Sequence, residues 1–453
     1  MILTQKYPVI NLIRKCLESI WLVPFMFLFG SICWWFSLSL LAVAVFSGVA
    51  TLVFLLCNYV NNFFALLFYI SFFIKNIYVG NTNWIGYIVC ISTAALFLLV
   101  FAIKMIFFDK VEFKKSKFLV AIIVSSVAFL LGGVIGRFDF LISLIVFAFC
   151  IATMLLYLIS RYRTFKLEKY LAKLFIIGGL FLTFNIYIQR IVIAGTIFIG
   201  KPEGELFFFS SQPLNPASIF IMLAMVGCYR LGVGKKFDVL YFIYSLFFFL
   251  SVVLTSVRTS IAVASILLVV LYVLYVKRSK RKLNFLWVAL AVFLLVFAGV
   301  LIFKTQVENL IQMLVAKFNS GLNGRDELWP WCIEKFKDYP IFGYGFVADE
   351  SVPSLSYGTT VVLAHNTILQ WVTSLGIIGT ILMLCAYFVK YKICFSGCIK
   401  MKIFVILAIV SIELTGMLDQ APSMDFFMYM LSIVLVSSCE KNDSDNVEIA
   451  SKL

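Results

Sequence analysis

Charge is scarce in this chain. Only 13% of its 453 residues are Asp, Glu, Lys or Arg, while 63% are hydrophobic. A soluble domain could not carry that composition, so soluble enzyme and binding classes are excluded. Histidine is scarcer still, because His365 is the only one. No pair of carboxylates is placed as a metal site or a glycosidase dyad. No Gly-rich phosphate loop is present, which argues against a cytoplasmic nucleotide-sugar donor. The N-terminus lacks a cleavable signal pattern: Arg14 and Lys15 precede a long apolar stretch with no small-residue cleavage site, so the first span is expected to be retained. The internal repeats seen in many transporters are also missing.

Cysteine is not scarce, but its placement is uninformative. Nearly all of the 11 cysteines fall in apolar runs or short basic loops, where they act as small hydrophobes. Cys332 stands alone in the long polar loop. Cys394 and Cys398 share another loop, but a metal site wants about four such ligands and this pair does not supply them. No metal and no cofactor is therefore expected.

What is abundant is apolar sequence in long, continuous runs. Alternation is absent, so a membrane barrel is excluded and a helical, polytopic membrane protein is expected. The net charge of +15 does not indicate nucleic acid. Most lysines and arginines sit in short clusters between apolar runs, the topology signal of cytoplasmic loops. Spans are expected as a pair over 20–56 breaking near Trp34 and Trp35, then 63–78 and 84–108. A pair over 118–160 turns at Gly136 to Asp139, and another span ends near Ile188. The next opens at Asn215 and Pro216, where asparagine can cap and proline fits the first turn. A pair over 237–276 turns near Arg258, and a further span ends near Phe303. Span twelve carries His365 in its first turn, and two more turn around Asp419 to Pro422. The total is about fourteen, with both termini and every basic cluster, Lys390 and Lys392 included, on the cytoplasmic side. The chain thus divides into spans over 1–303, a large loop over 304–362, spans over 363–439 and a cytoplasmic tail over 440–453.

The loop is too long for a structureless connection and is expected to be a small folded lid. Leu328, Trp331, Cys332, Lys335 and Phe336 recur at helical spacing. A helix is expected from about Arg325 to Lys337, stopping before Pro340 and lying on the membrane surface with its tryptophans at headgroup level. Three residues on the outer face carry possible chemistry, and each has a bland alternative. Arg258 is either a phosphate clamp or an arginine snorkelling to headgroups. Arg325 either meets an anion at the start of the lid helix or is a solvated loop residue beside Asp326 and Glu327. His365 either accepts a proton from a hydroxyl or is a structural histidine. Glu413, a carboxylate in an apolar run, is a functional candidate or a hydrogen-bonded structural group.

The order of short motifs resembles the O-antigen ligase and polymerase superfamily of bacterial surface-polysaccharide assembly. The matching residues are Asn215-Pro216, Ser256-Val257-Arg258-Thr259, Gly324-Arg325 with Trp329, Pro340 with Gly343 and Gly345, and His365-Asn366 with Leu369 and Gly376. They span roughly 210–390, around one large late periplasmic loop. The resemblance implies a fold similar to the GT-C class of integral-membrane glycosyltransferases. It implies metal-independent transfer from a glycan on undecaprenyl diphosphate at the periplasmic face of the inner membrane. Arg258 and Arg325 would then bind the diphosphate and His365 would activate the acceptor hydroxyl, with Asn215, Tyr344 and Asn366 completing the substrate-binding set. Partners would be the lipid-linked oligosaccharide, membrane lipid, and a chain-length regulator and flippase of the same pathway, with no nucleic acid. Polymerase and ligase share these motifs; the extra spans and the phenylalanine-rich sequence favour a polymerase. A lipid-glycan flippase is the reading from another class, resting on span count alone.

Overall fold

A computed structural model of the chain describes residues 8–80, 116–136, 138, 140–194, 215–255, 257–302, 324–347, 363–396, 399–418 and 426–440, with scattered positions over 97–107 and 304–315. Among these residues the protein is all helix, with no strand. The helices are α1 (Pro8–Glu18), α2 (Leu22–Trp35), α3 (Ser39–Leu56), α4 (Asn61–Gly80), α5 (Lys117–Val134), α6 (Phe140–Tyr162), α7 (Leu167–Ala194) and α8 (Asn215–Gly232). They continue as α9 (Asp238–Leu254), α10 (Arg258–Arg278), α11 (Lys282–Ile302), α12 (Arg325–Asp338), α13 (Thr367–Cys394), α14 (Ile399–Leu418) and α15 (Phe426–Glu440). The break expected near Trp34 and Trp35 follows directly on them, where α2 ends; Gly136 and the turn before Arg258 fall between helices, and Asn215 opens α8 as expected.

The protein is a multi-pass membrane protein. Among the described residues, seven helices are long and apolar enough to cross a bilayer, and the α1–α2 pair, bent by 76°, makes an eighth if counted as one span. The expected count of about fourteen refers to the whole chain, parts of which lie outside the described residues. Four further apolar helices are shorter over their described residues. One of them, α15, has 15 residues and reaches about 23 Å, against a hydrocarbon core of about 30 Å. The expected span over 84–108 and the turn at Asp419 lie largely outside the described residues.

The core is organised on α8. Its residues from Ile221 to Val226 are wholly buried, so the helix is apolar all round and is surrounded by α7, α9, α10 and α14. Lys390, expected to mark a loop, lies instead inside a helix, and Arg163, in the loop after α6, is buried. Lys390 is 7% exposed in α13, and its ammonium is paired with Glu413 of α14. Arg163 is buried beyond the end of α6 and donates to the Cys57 carbonyl at 2.9 Å, satisfying an orphan acceptor past α3. Position along a hydropathy trace cannot tell a loop lysine from one folded back onto a carboxylate. α1 was not expected: it presents Val9, Leu12 and Ile13 on an exposed apolar side ahead of the bend into α2.

Candidate functional site

The site grows from helix starts. Gly324 precedes α12 with φ of +77°, a left-handed angle that glycine adopts without steric cost. Arg325 follows as the first helical residue, as expected from the sequence. The buried face of α12, Leu328, Trp331 and Cys332, packs with Tyr344 and Ala364 into a small core of its own. Trp329 Nε1 donates to the Ala364 carbonyl at 3.0 Å. An indole N–H seeks a fixed acceptor, and here the Ala364 carbonyl supplies it. Burial pushes the Cys332 thiol up to about 11.

Tyr344 is 2% exposed. Its ring meets Trp331 and Tyr339 edge-on at centroid distances of 5.5 and 5.6 Å, and Lys335 Nζ stands 5.5 Å from its centre. These contacts make it a member of the lid core. The segment from Pro340 to Tyr344 is joined to α13 by backbone hydrogen bonds. Tyr344 N donates to Thr373 O at 2.7 Å and Ile377 N donates to Pro340 O at 2.8 Å. Both groups are free because Gly376, at φ +63° and ψ −166°, interrupts α13. A Cβ on Gly376 would stand 2.4 Å from Gly343 N, so two glycine backbones cross in contact.

The same small core fixes the approach to His365. Ala364 N donates to Gln370 Oε1 at 2.8 Å while its carbonyl accepts from Trp329. His365 then turns with φ of +50°. It is not in the first turn of the helix, as expected, but one residue ahead of the cap. The cap is Asn366, whose Oδ1 accepts from Ile368 N and Leu369 N, both at 3.0 Å. Its Nδ2 donates to Met417 O at 3.0 Å, tying this corner to the end of α14.

Arg258 is the first residue of α10, and Asn215 is the first of α8. Ser218 and Ser260 share a buried hydrogen bond of 2.7 Å, so these two helix starts lie side by side. α14 packs against α10 and reaches Asn366 through Met417. The candidate residues therefore belong to two assemblies, Asn215 with Arg258 and Arg325 with Tyr344, His365 and Asn366, linked by α14. Arg258, Arg325 and His365 are all half-buried. Apart from Tyr344, every candidate stands at or just before a helix N-terminus, where free backbone N–H groups and the helix dipole favour anions. Two guanidiniums and four such helix ends suit a phosphorylated ligand. No group of His, Cys, Asp and Glu that could hold a metal occurs among the described residues.

Residues 243–384 match a family model described as O-antigen ligase. The match supports the O-antigen ligase and polymerase superfamily. It takes in Arg258, Arg325, Tyr344, His365 and Asn366, and leaves Asn215 outside. It supports a glycosyl-transferring enzyme in the membrane, without separating polymerase from ligase. No curated protein matches the chain. Sequence reasoning missed the positioning residues Gln370 and Thr373 within the matched stretch and Met417 beyond it, and named Trp329 only as part of a motif. Only the spacing of Trp329 from Arg325 gave a signal, since a backbone carbonyl acceptor leaves no trace in residue type.

Proposed function

We propose that this protein is a surface-polysaccharide polymerase, joining glycan repeat units carried on undecaprenyl diphosphate at the periplasmic face of the inner membrane. The observation that carries the reading is the placement of Arg258, Arg325 and His365 at the starts of α10, α12 and α13. In this reading the acceptor sugar hydroxyl attacks the anomeric carbon of the donor glycan. The new glycosidic C–O bond forms as the bond to the diphosphate breaks. The hydroxyl proton passes to the His365 imidazole, and the diphosphate leaves with its charge held by the two guanidiniums. The leaving group is already good, so the protein contributes orientation and charge stabilisation. The membrane supplies both lipid-linked substrates.

A ligase is the second reading, favoured by the description of the matching family. It would use the same residues to move finished polymer onto lipid A-core. Deletion of the gene separates the two. Surface glycan of single-repeat length is the expected result for a polymerase. Polymer retained on undecaprenyl diphosphate and absent from lipid A-core would select the ligase, and an unchanged glycan ladder would overturn both.

A further inference from the structure

α1 stands apart from the spans. Its 11 residues reach about 16 Å, short of a hydrocarbon core of about 30 Å. It meets α2 at a bend of 76°. α2 carries no charged residue and packs along α7, one of the helices long and apolar enough to cross a bilayer. A helix turned so far from that direction cannot continue the path of α2 across the bilayer, and it runs close to the bilayer plane.

The sides of α1 divide by residue type. Val9, Leu12, Ile13 and Cys16 recur at i, i+3, i+4 and i+7 and so form one apolar strip. All four are exposed, Val9 and Leu12 to 66% and 63%. A different side is packed. Leu17 is buried and belongs to the main core, and α1 touches α2, α3 and α4. The Leu17 carbonyl accepts from Asn62 Nδ2 at 2.7 Å, and Asn58 N donates to Glu18 Oε1 at 2.8 Å. The helix is therefore fastened at its C-terminal end, with its apolar strip uncovered among the described residues. The third side is polar, with Asn11, Arg14, Lys15 and Glu18 at the same spacing. Arg14 donates to Asn11 Oδ1 at 3.2 Å. Lys15 is exposed, three residues from Leu12 and so its neighbour on the helix surface.

We propose that α1 is an in-plane membrane anchor, with its apolar strip sunk at the boundary of headgroups and acyl chains and Lys15 at the phosphates of anionic phospholipid. Continuity argues for lipid over a protein partner. The exposed strip runs on in sequence past the bend as Trp21, Phe25, Leu28 and Ile32, spaced i, i+4, i+7 and i+11. α1 thus extends a face that α2 already leaves open along its length. Trp21 stands at the bend itself, 78% exposed, and an indole there suits headgroup level. Charge argues for an anionic surface. The apolar strip is bordered by a lysine, whose stem can lie along apolar surface while its ammonium reaches a phosphate. The one carboxylate of the helix, Glu18, is engaged by Asn58. The inference does not depend on the reading of the lid site.

The test uses the full-length protein in nanodiscs of phosphatidylcholine and phosphatidylglycerol, in a background cleared of reactive thiols. Nitroxide labels on Leu12→Cys and Asn11→Cys report access to oxygen, which partitions into the bilayer, and to a nickel chelate, which stays in water. The Leu12→Cys label should be open to oxygen and shielded from the chelate, and the Asn11→Cys label the reverse. A Leu12→Cys label open to the chelate would place the strip in water, and shielding from both reagents would mean that protein covers it. Either result would overturn the proposal. A fluorescent label on Leu12→Cys, quenched by brominated phosphatidylglycerol or brominated phosphatidylcholine, then tests the charge. Phosphatidylglycerol should be preferred about fivefold, the factor for about 1 kcal/mol from one basic residue near the surface. Lys15→Gln, an exposed change that the fold should tolerate, should abolish that preference. Equal quenching by the two lipids with Lys15 present, or a preference that survives Lys15→Gln, would overturn the proposal as well.

Discussion

His365 holds a backbone angle that most side chains avoid. Its φ of +50° costs a non-glycine residue about 1–2 kcal/mol. The surrounding contacts enforce it, because Ala364 is held by both its N–H and its carbonyl and Asn366 by three hydrogen bonds. Strain retained at a candidate base motivates a functional reading. His365→Asn is the informative variant, since asparagine tolerates left-handed backbone but cannot act as a base at neutral pH. It should leave donor binding and folding intact and lower turnover by about 10²–10⁴-fold. A normal polymerisation rate in that variant would return His365 to a structural role. Arg258→Lys should fail differently. It keeps a positive charge and loses the planar fork, so donor affinity should fall by about tenfold to a hundredfold, read by titration of the lipid-linked donor. Unchanged affinity would favour the headgroup-snorkelling reading of Arg258.

The crossing of Gly343 and Gly376 sets where the lid stands. A methyl on Gly376 would meet Gly343 N at 2.4 Å and Ile341 O at 2.5 Å, both backbone atoms that a rotamer change cannot move. Gly376→Ala should therefore undock the Pro340 to Tyr344 segment. Hydrogen exchange at the Tyr344 and Ile377 amides should rise by tenfold or more, about the effect of 1.4 kcal/mol. Unchanged exchange there would show that the lid is held by its side-chain core instead. The Cys332 thiol, pushed up to about 11, reports the same event: it should resist maleimide at pH 8 in the wild type and react once the lid opens. This element also marks the limit of what the sequence discloses. Hydropathy located most helix breaks, and helical spacing located α12 to within one residue at its end. The arginines and histidine stood out because so little else in the chain is charged. The lid's docking was illegible because it runs through backbone atoms and a helix interruption. Periodicity extends unbroken across Gly376, and only the glycine hints at it. The packing of Trp331 in the lid core was open for a related reason: an amphipathic face predicts burial but does not say against what.

Across the whole molecule, the Lys390–Glu413 pair joins α13, which begins at the candidate site, to α14, which ends beside it. Their side chains are 9% and 13% exposed, and the Tyr387 hydroxyl also hydrogen-bonds Glu413. A charge pair of this kind in a membrane bundle is expensive to desolvate, and its net worth lies in mutual compensation. Removing one partner strands the other in a low-dielectric interior. Lys390→Met and Glu413→Gln, each alone, should destabilise the bundle by about 3–5 kcal/mol, while the double variant should cost less than the sum. The measurement is the folded fraction in detergent against denaturant for wild type, both single variants and the double. A coupling near zero would mean that the two groups are solvated independently and that the bundle does not rely on the pair. A strong coupling, with glycan polymerisation preserved in the double variant, would assign the pair to architecture. That would separate Glu413 from the chemistry of transfer and leave Arg258, Arg325 and His365 as the groups on which turnover depends.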